Sequence, residues 1–219
     1  REFVRMIGFP ITSTLQGLGA FPGDDSQFIG MLGMHGTYEA NNAMHDCDLL
    51  INIGARFDDR ITGKIDEFSP KSKKIHIDID PSSINKIIKV DLSLVGDVKD
   101  VLKGINRTLK KKNMNLNKSN KQQTSKWWEQ IQKWRTKNSL HFKNSDETIK
   151  PQHAVQRLYE LTKHKDTFVT TEVGQHQMWA AQHYKFNKPN RWMTSGGLGT
   201  MGYGLPAAVG VQIAHPNKL

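Results

Sequence analysis

The chain has 219 residues, with 31 lysines and arginines against 21 aspartates and glutamates, and a formal net charge of +10. It contains no apolar run of about 18 residues, and its single cysteine, Cys47, cannot form an internal disulfide. These features exclude a membrane partner and a disulfide-stabilised secreted fold. Ten basic residues lie between positions 110 and 143 against Glu129 alone. Such a block is typical of a solvated connector, so we also expect no nucleic-acid partner.

The chain starts at Arg1 and ends at Leu219 without a closing element, so we interpret it as an internal segment of a longer protein. It has no basic start followed by an apolar segment of the kind that directs secretion. One cysteine suits a reducing compartment. We therefore expect the cytoplasm, or a plastid or mitochondrion where an upstream targeting segment exists.

The first 109 residues alternate apolar runs with turns and amphipathic segments, which predicts an open parallel α/β sheet. Strands are predicted at residues 10–15, 49–53, 73–81 and 92–98, and helices at 37–45, 83–89 and 97–109. The run at 49–53 is apolar throughout, as in a buried parallel strand, and we interpret 92–98 as a short edge strand. Open α/β sheets bind ligands at the carboxyl ends of their strands.

Residues 110–123 have almost no apolar content and are interpreted as a linker. Trp127, Ile131 and Trp134 then recur at helical spacing, which predicts a helix over 125–137. An aromatic stripe of this kind favours a docking surface over a platform for nucleic-acid bases. A further helix is predicted at 151–161, a strand at 168–171, and a glycine turn leading into a helix at 172–181.

Polar residues near the predicted strand ends each allow two interpretations. Asp78 lies where sheets commonly hold ribose hydroxyls, although a plain strand-end turn suits the local pattern equally well. The pair Asp58 and Asp59 could provide catalytic carboxylates, but flanking arginines also suit a salt-bridged surface turn. His35 lies in a glycine turn, either as a ligand contact or simply exposed.

Residues 194–206 contain five glycines between positions 196 and 204. This density permits positive φ and close approach of the backbone to a ligand. Pro206 suits the first turn of a helix whose N–H groups could face an anion. The glycine spacing also matches a dinucleotide fingerprint, but no strong strand precedes it and the chain ends before the expected acidic residue. A ligand-holding turn is therefore favoured over a nicotinamide site or a purely structural turn.

Four segments together resemble the catalytic subunits of the acetolactate synthase (acetohydroxyacid synthase) family of thiamine diphosphate enzymes. They are residues 33–37 (GMHGT), 56–64 (RFDDRITGK), 174–180 (GQHQMWA) and 195–208 (SGGLGTMGYGLPAA). The resemblance extends over nearly the whole chain apart from the lysine-rich linker.

The resemblance implies an α/β fold with two open parallel-sheet domains joined by the basic linker. Residues 1–109 would form the central FAD-binding domain without its start, 110–150 the linker and docking helix, and 151–219 the beginning of the diphosphate-binding domain. The family's activating glutamate and its Gly-Asp-Gly metal motif would lie outside the chain. We therefore expect no metal ligand within it and no activity from this segment alone.

The resemblance also implies three sets of site residues. FAD would contact Thr14, Leu15, Gln16, Leu32, Gly33, Met34, His35, Gly54, Ala55, Arg56, Phe57, Asp58, Asp78, Ile79, Asp97 and Val98. Thiamine diphosphate would contact Val173, Gly174, Gln175, His176, Gly196, Gly197, Leu198, Gly199, Thr200 and Met201. Substrate would pass Asp59 and Arg60. Catalytic roles are implied for Gly199, for Met201 as the apolar wedge that bends the cofactor, and for Arg60, whose guanidinium would orient a carboxylate.

The implied activity is an acetaldehyde-transferring one: decarboxylation of pyruvate and condensation with a second 2-ketoacid. The products would be 2-acetolactate or 2-aceto-2-hydroxybutyrate, in the first common step of valine, leucine and isoleucine biosynthesis. The implied cofactors are thiamine diphosphate, Mg²⁺ and a structural FAD. The implied partners are 2-ketoacids, further copies of the chain in a homodimer or homotetramer, and a small regulatory subunit. Another FAD-containing thiamine diphosphate enzyme, such as glyoxylate carboligase or pyruvate oxidase, is the alternative.

Overall fold

A computed structural model describes residues 1–112 and 123–219. Their strands are β1 (Ile11–Ser13), β2 (Phe28–Met31), β3 (Leu49–Ile53), β4 (Lys73–Asp78), β5 (Leu92–Val95), β6 (Val169–Thr170) and β7 (Trp192–Met193). Their helices are α1 (Glu2–Ile7), α2 (Tyr38–Asp46), α3 (Asp59–Thr62), α4 (Val98–Lys111), α5 (Ser125–Arg135), α6 (Pro151–Thr162), α7 (Gln175–His183) and α8 (Gly204–Ala214). Every strand pair formed by these residues is parallel, which confirms the predicted parallel α/β fold.

Packing divides the chain into two compact units that do not follow chain order. The first unit comprises Arg1–Pro10, Leu32–Met34 and Tyr38–Lys137, and the second comprises Ile11–Met31, His35–Thr37 and Asn138–Leu219. Residues 11–31 and 35–37 thus fold with the segment that carries the predicted thiamine diphosphate positions. The domain bounds implied by the family resemblance, at 109 and 150, stay a prediction.

The first unit is built on the three-stranded sheet β3–β4–β5, with β4 at its centre. Branched apolar residues face each other across the strands, as where Ile53 pairs with Ile77, and this pattern is typical of parallel sheets. Among the described residues β5 pairs with β4 alone, as predicted for an edge strand. Helix α4 follows β5, and the Asp97 carboxylate caps it by accepting the N–H of Lys99 at 2.8 Å.

Helix α5 packs against α2. Ile131 is fully buried, and the rings of Trp127 and Trp134 meet edge to face with centroids 5.4 Å apart. The indole N–H of Trp128 donates to the backbone oxygen of Gly8 at 3.3 Å. The stripe is therefore used for packing within the first unit, as the docking interpretation predicts.

The second unit contains two small sheets, β1–β2 and β6–β7, and the packed helices α6 and α7. Its core consists of Leu18, Met31, Ala180, Ala181, Tyr184, Phe186 and Trp192. At its surface, the Asp166 carboxylate accepts hydrogen bonds from Arg191 Nε at 2.9 Å and from Lys188 Nζ at 3.2 Å. Arg191, followed by the neighbouring lysines, holds the pKa of Asp166 well below its usual range, so this cluster stays ionised.

Three features of the fold differ from the sequence-based predictions. The sequence does not predict β2 or β7, because Gly30 weakens the strand signal of the first and the second is only two residues long. The predicted helix at 83–89 is wrong: Asp80 caps a single 3-10 turn at Pro81–Ser83, and Asn85 has a φ of 58° that a helix cannot accommodate. The predicted linker begins too early, because α4 continues through Lys111.

Two further predictions concern the linker and the absence of a membrane-spanning helix. The rest of the predicted linker, residues 113–122, lies outside the described ranges. Within residues 1–112 and 123–219, no helix combines the length and the apolar character needed to cross a membrane.

Truncation of Ile131 tests the docking of α5. Because this side chain is fully buried, we expect Ile131→Ala to lower the free energy of unfolding by about 2–5 kcal/mol in denaturant titrations. The matched control is Gln132→Ala, an exposed position on the same helix, for which we expect a change within about 0.5 kcal/mol. Equal effects of the two substitutions would contradict the docking described above.

Candidate cofactor sites

The carboxyl edge of the first unit's sheet brings together residues from three strand ends. Gly54, just beyond β3, donates its N–H to Ile77 O of β4 at 2.8 Å, and Gly96, just beyond β5, donates its N–H to Asp78 O at the end of β4 at 2.9 Å. A Cβ built at Gly54 would lie 3.8 Å from Val98 Cγ2 at the start of α4. The predicted FAD positions at 54, 78, 97 and 98 therefore lie at one edge, where parallel sheets bind ligands.

Asp78 is buried at this edge and already has partners. Its Oδ1 accepts the N–H of Asp80 at 2.9 Å, and its Oδ2 lies 3.4 Å from Nε2 of the fully buried His76. The next residue, Ile79, is exposed. Asp78 thus stabilises the turn that follows β4. This role in a strand-end turn is compatible with the second interpretation, a contact with a ligand.

The turn after β3 is anchored by Phe57. Its ring is buried, 5.7 Å from the Phe68 ring and 5.1 Å from the His76 ring between centroids. Phe57 also has a φ of 56°, which for a bulky residue is an outlier that surrounding packing must stabilise. Asn52 Nδ2 and His76 Nε2 both contact Ala55 O, at 2.6 and 3.1 Å. Phe57 therefore shapes the turn from inside, whereas the neighbouring Arg56 side chain is 72% exposed.

The charged segment after this turn is partly a salt-bridged surface turn. Arg56 pairs with Asp58 at 3.0 Å, and Asp58 Oδ1 caps α3 by accepting the N–H of Arg60 at 3.2 Å. That N–H is the first of the interactions that hold the pKa of Asp58 below its usual value. Among the described residues the exposed Arg60 guanidinium makes no ion pair. The arginine predicted to face substrate is thus the one that the turn leaves available.

The turn at Gly33 lies against this segment. Met34 N donates to Arg60 O at 2.8 Å, and a Cβ at Gly33 would lie 2.6 Å from the same oxygen. The Asn41 side chain brackets Gly33, accepting its N–H at 2.8 Å and donating to its O at 2.9 Å. Within the first unit, the predicted FAD positions 32–34 and the predicted substrate position 60 are therefore neighbours. Asn41 is not among the residues predicted from the sequence, although its position one turn into α2 after a glycine turn is a usable signal.

In the second unit, the two predicted thiamine diphosphate segments leave the same edge of the β6–β7 sheet. Hydroxyls at the strand ends, Thr171 Oγ1 and Thr194 Oγ1, lie 2.8 Å apart, and Gln177 Nε2 donates to the latter at 2.6 Å. A Cβ at Gly199 would lie 3.7 Å from Val173 Cγ1. The turn at residues 173–176 and the loop at 196–201 are consequently adjacent.

The loop itself presents apolar side chains on an open backbone. Leu198 is 96% exposed and Met201 is 82% exposed, while Ser195 Oγ closes the loop by accepting the N–H of Thr200 at 2.9 Å. A Cβ at Gly197 would meet nothing within 4 Å. The space and the exposed Met201 fit a flat ligand held against the loop.

Some of the residues predicted to bind FAD lie in the second unit, beside the glycine loop. Gln16 Nε2 donates to Thr194 O at 3.0 Å, and a Cβ at Gly196 would lie 2.6 Å from that nitrogen and 3.2 Å from Leu15 Cδ2. His35 O accepts a hydrogen bond from Gln182 at 3.0 Å. Positions 14–16 and 35 therefore pack in the second unit, whereas positions 32–34, 54–58, 78, 79, 97 and 98 lie in the first.

The anion site expected at the start of α8 is filled by the protein itself. Glu172 Oε2 accepts the N–H groups of Gly202 at 2.7 Å and Tyr203 at 3.1 Å, and its Oε1 accepts that of Gly204 at 2.6 Å. The N–H groups that the sequence suggested could face an anion therefore have Glu172 as their partner. By contrast, α7 has no side-chain cap, and its N-cap residue is Gly174, with a φ of 146°.

Substitution of Gly33 tests the close approach of the two turns. Because Gly33 has a φ of 100° and no room for a Cβ beside Arg60 O, we expect Gly33→Ala to lower the free energy of unfolding by about 1–3 kcal/mol. Gly104, inside α4 with nothing within 4 Å of a Cβ, is the matched control: Gly104→Ala should stabilise by about 0.5–1 kcal/mol. A neutral Gly33→Ala in denaturant titrations would refute the contact.

Comparison with known proteins identifies the family to which this chain is related. The family model "Thiamine pyrophosphate enzyme, central domain" matches residues 1–105, and "Thiamine pyrophosphate enzyme, C-terminal TPP binding domain" matches residues 172–219.

Similar curated proteins include the acetolactate synthase large subunit of Haemophilus influenzae, 48% identical over 98% of this chain and 37% of the relative. The acetolactate synthase isozyme 3 large subunit of Escherichia coli is 46% identical over 100% of this chain and 37% of the relative. Acetolactate synthase 1, chloroplastic, of Nicotiana tabacum is 47% identical over 100% of this chain and 32% of the relative. The chain thus spans about a third of the length of the relatives it matches. It belongs to the thiamine pyrophosphate enzymes, as a homologue of acetolactate synthase large subunits.

Proposed function

We propose that the intact protein containing this chain is an acetolactate synthase, which decarboxylates pyruvate and condenses the remainder with a second 2-ketoacid. The observation that carries the proposal is the convergence of residues 173–176 and 196–201 at one edge of the β6–β7 sheet. Both segments belong to motifs resembling those of acetolactate synthases, and family membership supports the assignment. The products are 2-acetolactate or 2-aceto-2-hydroxybutyrate, at the entry to branched-chain amino-acid biosynthesis.

Thiamine diphosphate, when bound, would supply a ring carbon that adds to the ketone after losing its proton, and a cationic ring that accepts the electron pair released on decarboxylation. The chain's own residues bind and orient it. We assign the backbone N–H groups and imidazole at residues 173–176 to its diphosphate, because an uncapped helix start attracts anions. Residues 196–200 would line its aminopyrimidine through backbone groups, and the exposed Met201 side chain would help to position it.

FAD and Mg²⁺ are also part of the proposal. For FAD, the fit rests on the first unit's carboxyl sheet edge, with Gly54 and Asp78, and on the adjacent turn at 32–34. Positions 14–16 and 35 fit less directly, because their side chains and backbone contact second-unit residues. For Mg²⁺, we assign no ligand among the described residues.

Partners and location complete the proposed function. The intact protein acts on 2-ketoacids as a homodimer or homotetramer, and the name "large subunit" carried by its relatives supports a smaller regulatory partner. We place it in the cytoplasm, or in a plastid or mitochondrion if it carries a targeting segment. The segment of residues 1–219 alone should be inactive.

Product analysis tests the activity. The intact protein supplied with pyruvate, thiamine diphosphate, Mg²⁺ and FAD should convert two pyruvates into one acetolactate and one CO₂ without consuming O₂. Consumption of O₂ with phosphate would instead indicate a pyruvate oxidase. Activity confined to glyoxylate would indicate glyoxylate carboligase. Either outcome would replace the proposed function.

Substitution of Arg60 tests the substrate contact. Since its guanidinium is free to bind a carboxylate in a two-pronged geometry, Arg60→Ala should raise the concentration of second 2-ketoacid needed for half-saturation by about tenfold or more. Arg60→Lys should recover part of this loss. The control is Arg107→Ala, at an exposed position on α4, which should leave saturation unchanged. Normal saturation of Arg60→Ala would remove Arg60 from the site.

A further inference from the structure

The Glu172 carboxylate connects two parts of the second unit that are far apart in sequence. Glu172 follows β6 and directly precedes the turn at 173–176, while the three N–H groups that it accepts belong to residues 202–204, directly after Met201. The Glu172 side chain thus binds the end of the glycine loop, while its backbone adjoins the segment assigned to the diphosphate.

The backbone around this contact is built for close approach. A Cβ at Gly204 would lie 2.7 Å from Glu172 N and 2.8 Å from the carbonyl carbon of Thr171, so α8 begins directly against the strand end. Gly202 has a φ of 82°, which turns its N–H and that of Tyr203 toward the same carboxylate oxygen. Residues 202 and 204 therefore depend on glycine, and the geometry serves the Glu172 contact.

Electrostatics favour an ionised Glu172. Burial acts to raise the pKa of this carboxyl, but the N–H groups of Gly204, Gly202, Tyr203 and Leu205 outweigh it and leave the pKa below its usual value. The positive end of the α8 dipole points at the same charge. Because the folded-state pKa is lowered, the contact contributes fully at neutral pH and is lost as the pH falls through that lowered value.

The contact closes the free end of the loop. At its start, Thr194 is held by Gln16 and Gln177, at 3.0 and 2.6 Å, and inside it Ser195 Oγ binds Thr200 N at 2.9 Å. Beyond Thr200, the first side-chain restraint found among the described residues is Glu172. The strongly exposed Met201 lies between these two restraints and has little packing of its own to hold it.

We propose that Glu172 is a positioning residue that holds the glycine loop and Met201 in register with the turn at 173–176. The proposal rests on the assignment of these segments to thiamine diphosphate under the proposed function. Glu172 touches no reacting atom. It acts by fixing the backbone on both sides of the cofactor, so that binding the cofactor does not require ordering the loop.

The test uses three variants of the intact protein: Glu172→Gln, Glu172→Asp and the control Glu160→Gln. In Glu172→Gln an amide NH₂ group replaces one carboxylate oxygen and faces backbone N–H donors. Glu172→Asp keeps the negative charge on a side chain that is shorter by one methylene group. Glu160 is an exposed α6 residue paired with Lys163. Calorimetric titration with thiamine diphosphate and Mg²⁺ gives the dissociation constant, and thermal unfolding of the cofactor-free protein gives the midpoint.

We expect thiamine diphosphate to bind Glu172→Gln about tenfold or more weakly, since a hydrogen-bonded charge is removed. Glu172→Asp should lie between this variant and the wild type, and Glu160→Gln should match the wild type. At saturating cofactor the KM for pyruvate should be unchanged, because the pyruvate contacts are intact. The proposal would be overturned if thiamine diphosphate bound both Glu172 variants with dissociation constants within twofold of the wild-type value. This holds even if the thermal midpoint falls, because lower stability with unchanged binding would show that Glu172 only caps the helix.

Failure of the proposed function gives a different result. If the wild-type protein binds thiamine diphosphate but forms no acetolactate from pyruvate, the assigned reaction is wrong, while the calorimetric comparison still decides the role of Glu172. If Glu172→Gln does not fold, the charge-conserving Glu172→Asp carries the same comparison. Should neither variant fold while Glu160→Gln does, Glu172 is a folding residue and the positioning role is rejected.

Discussion

The rest of this structure depends on one constraint: the backbone N–H groups that follow the carboxyl ends of the parallel strands need hydrogen-bond acceptors. Every described strand except β1 runs into a turn and then a helix or a 3-10 turn, and the first N–H groups of a helix have no partner within it. Four carboxylates meet this need: Asp58 before α3, Asp80 before a 3-10 turn, Asp97 before α4 and Glu172 at α8. Three are local caps, close in sequence to the groups that they bind, and Glu172 reaches about thirty residues along the chain.

This constraint also determines what remains available at the strand ends. Asp58 is used by its own turn and by Arg56, which leaves the Arg60 guanidinium exposed. Glu172 takes the N–H groups at the start of α8, which leaves the uncapped start of α7 as the second unit's helix terminus next to the glycine loop. Capping side chains and ligands compete for the same N–H groups at helix starts. Each helix start that is capped by a side chain is therefore one fewer place where a ligand can bind.

Much of the fold could be predicted from the sequence because its signals are local. The apolar run of β3, the alternation in β4 and the amphipathic pattern of α4 each identify an element within a few residues of its bounds. The helix predicted at 83–89 failed because Asp80 and Asn85 favour turns, a competition between side-chain and helical hydrogen bonds that periodicity does not detect. Strands β2 and β7 are too short to show an alternation of apolar and polar residues. They form because β1 and β6 provide their hydrogen-bonding partners.

The sequence by itself determined the parallel α/β class, the aromatic docking stripe of α5 and the motifs that indicate a thiamine diphosphate enzyme, since these depend on residue type and spacing. Only the tertiary structure decided that Leu15 and Gln16 pack against Gly196, that Phe57 is buried beneath its turn, and that Glu172 fills the helix start expected to bind an anion. These contacts join residues distant in the chain. Their partners are selected by the packing of strand ends, which no local pattern encodes.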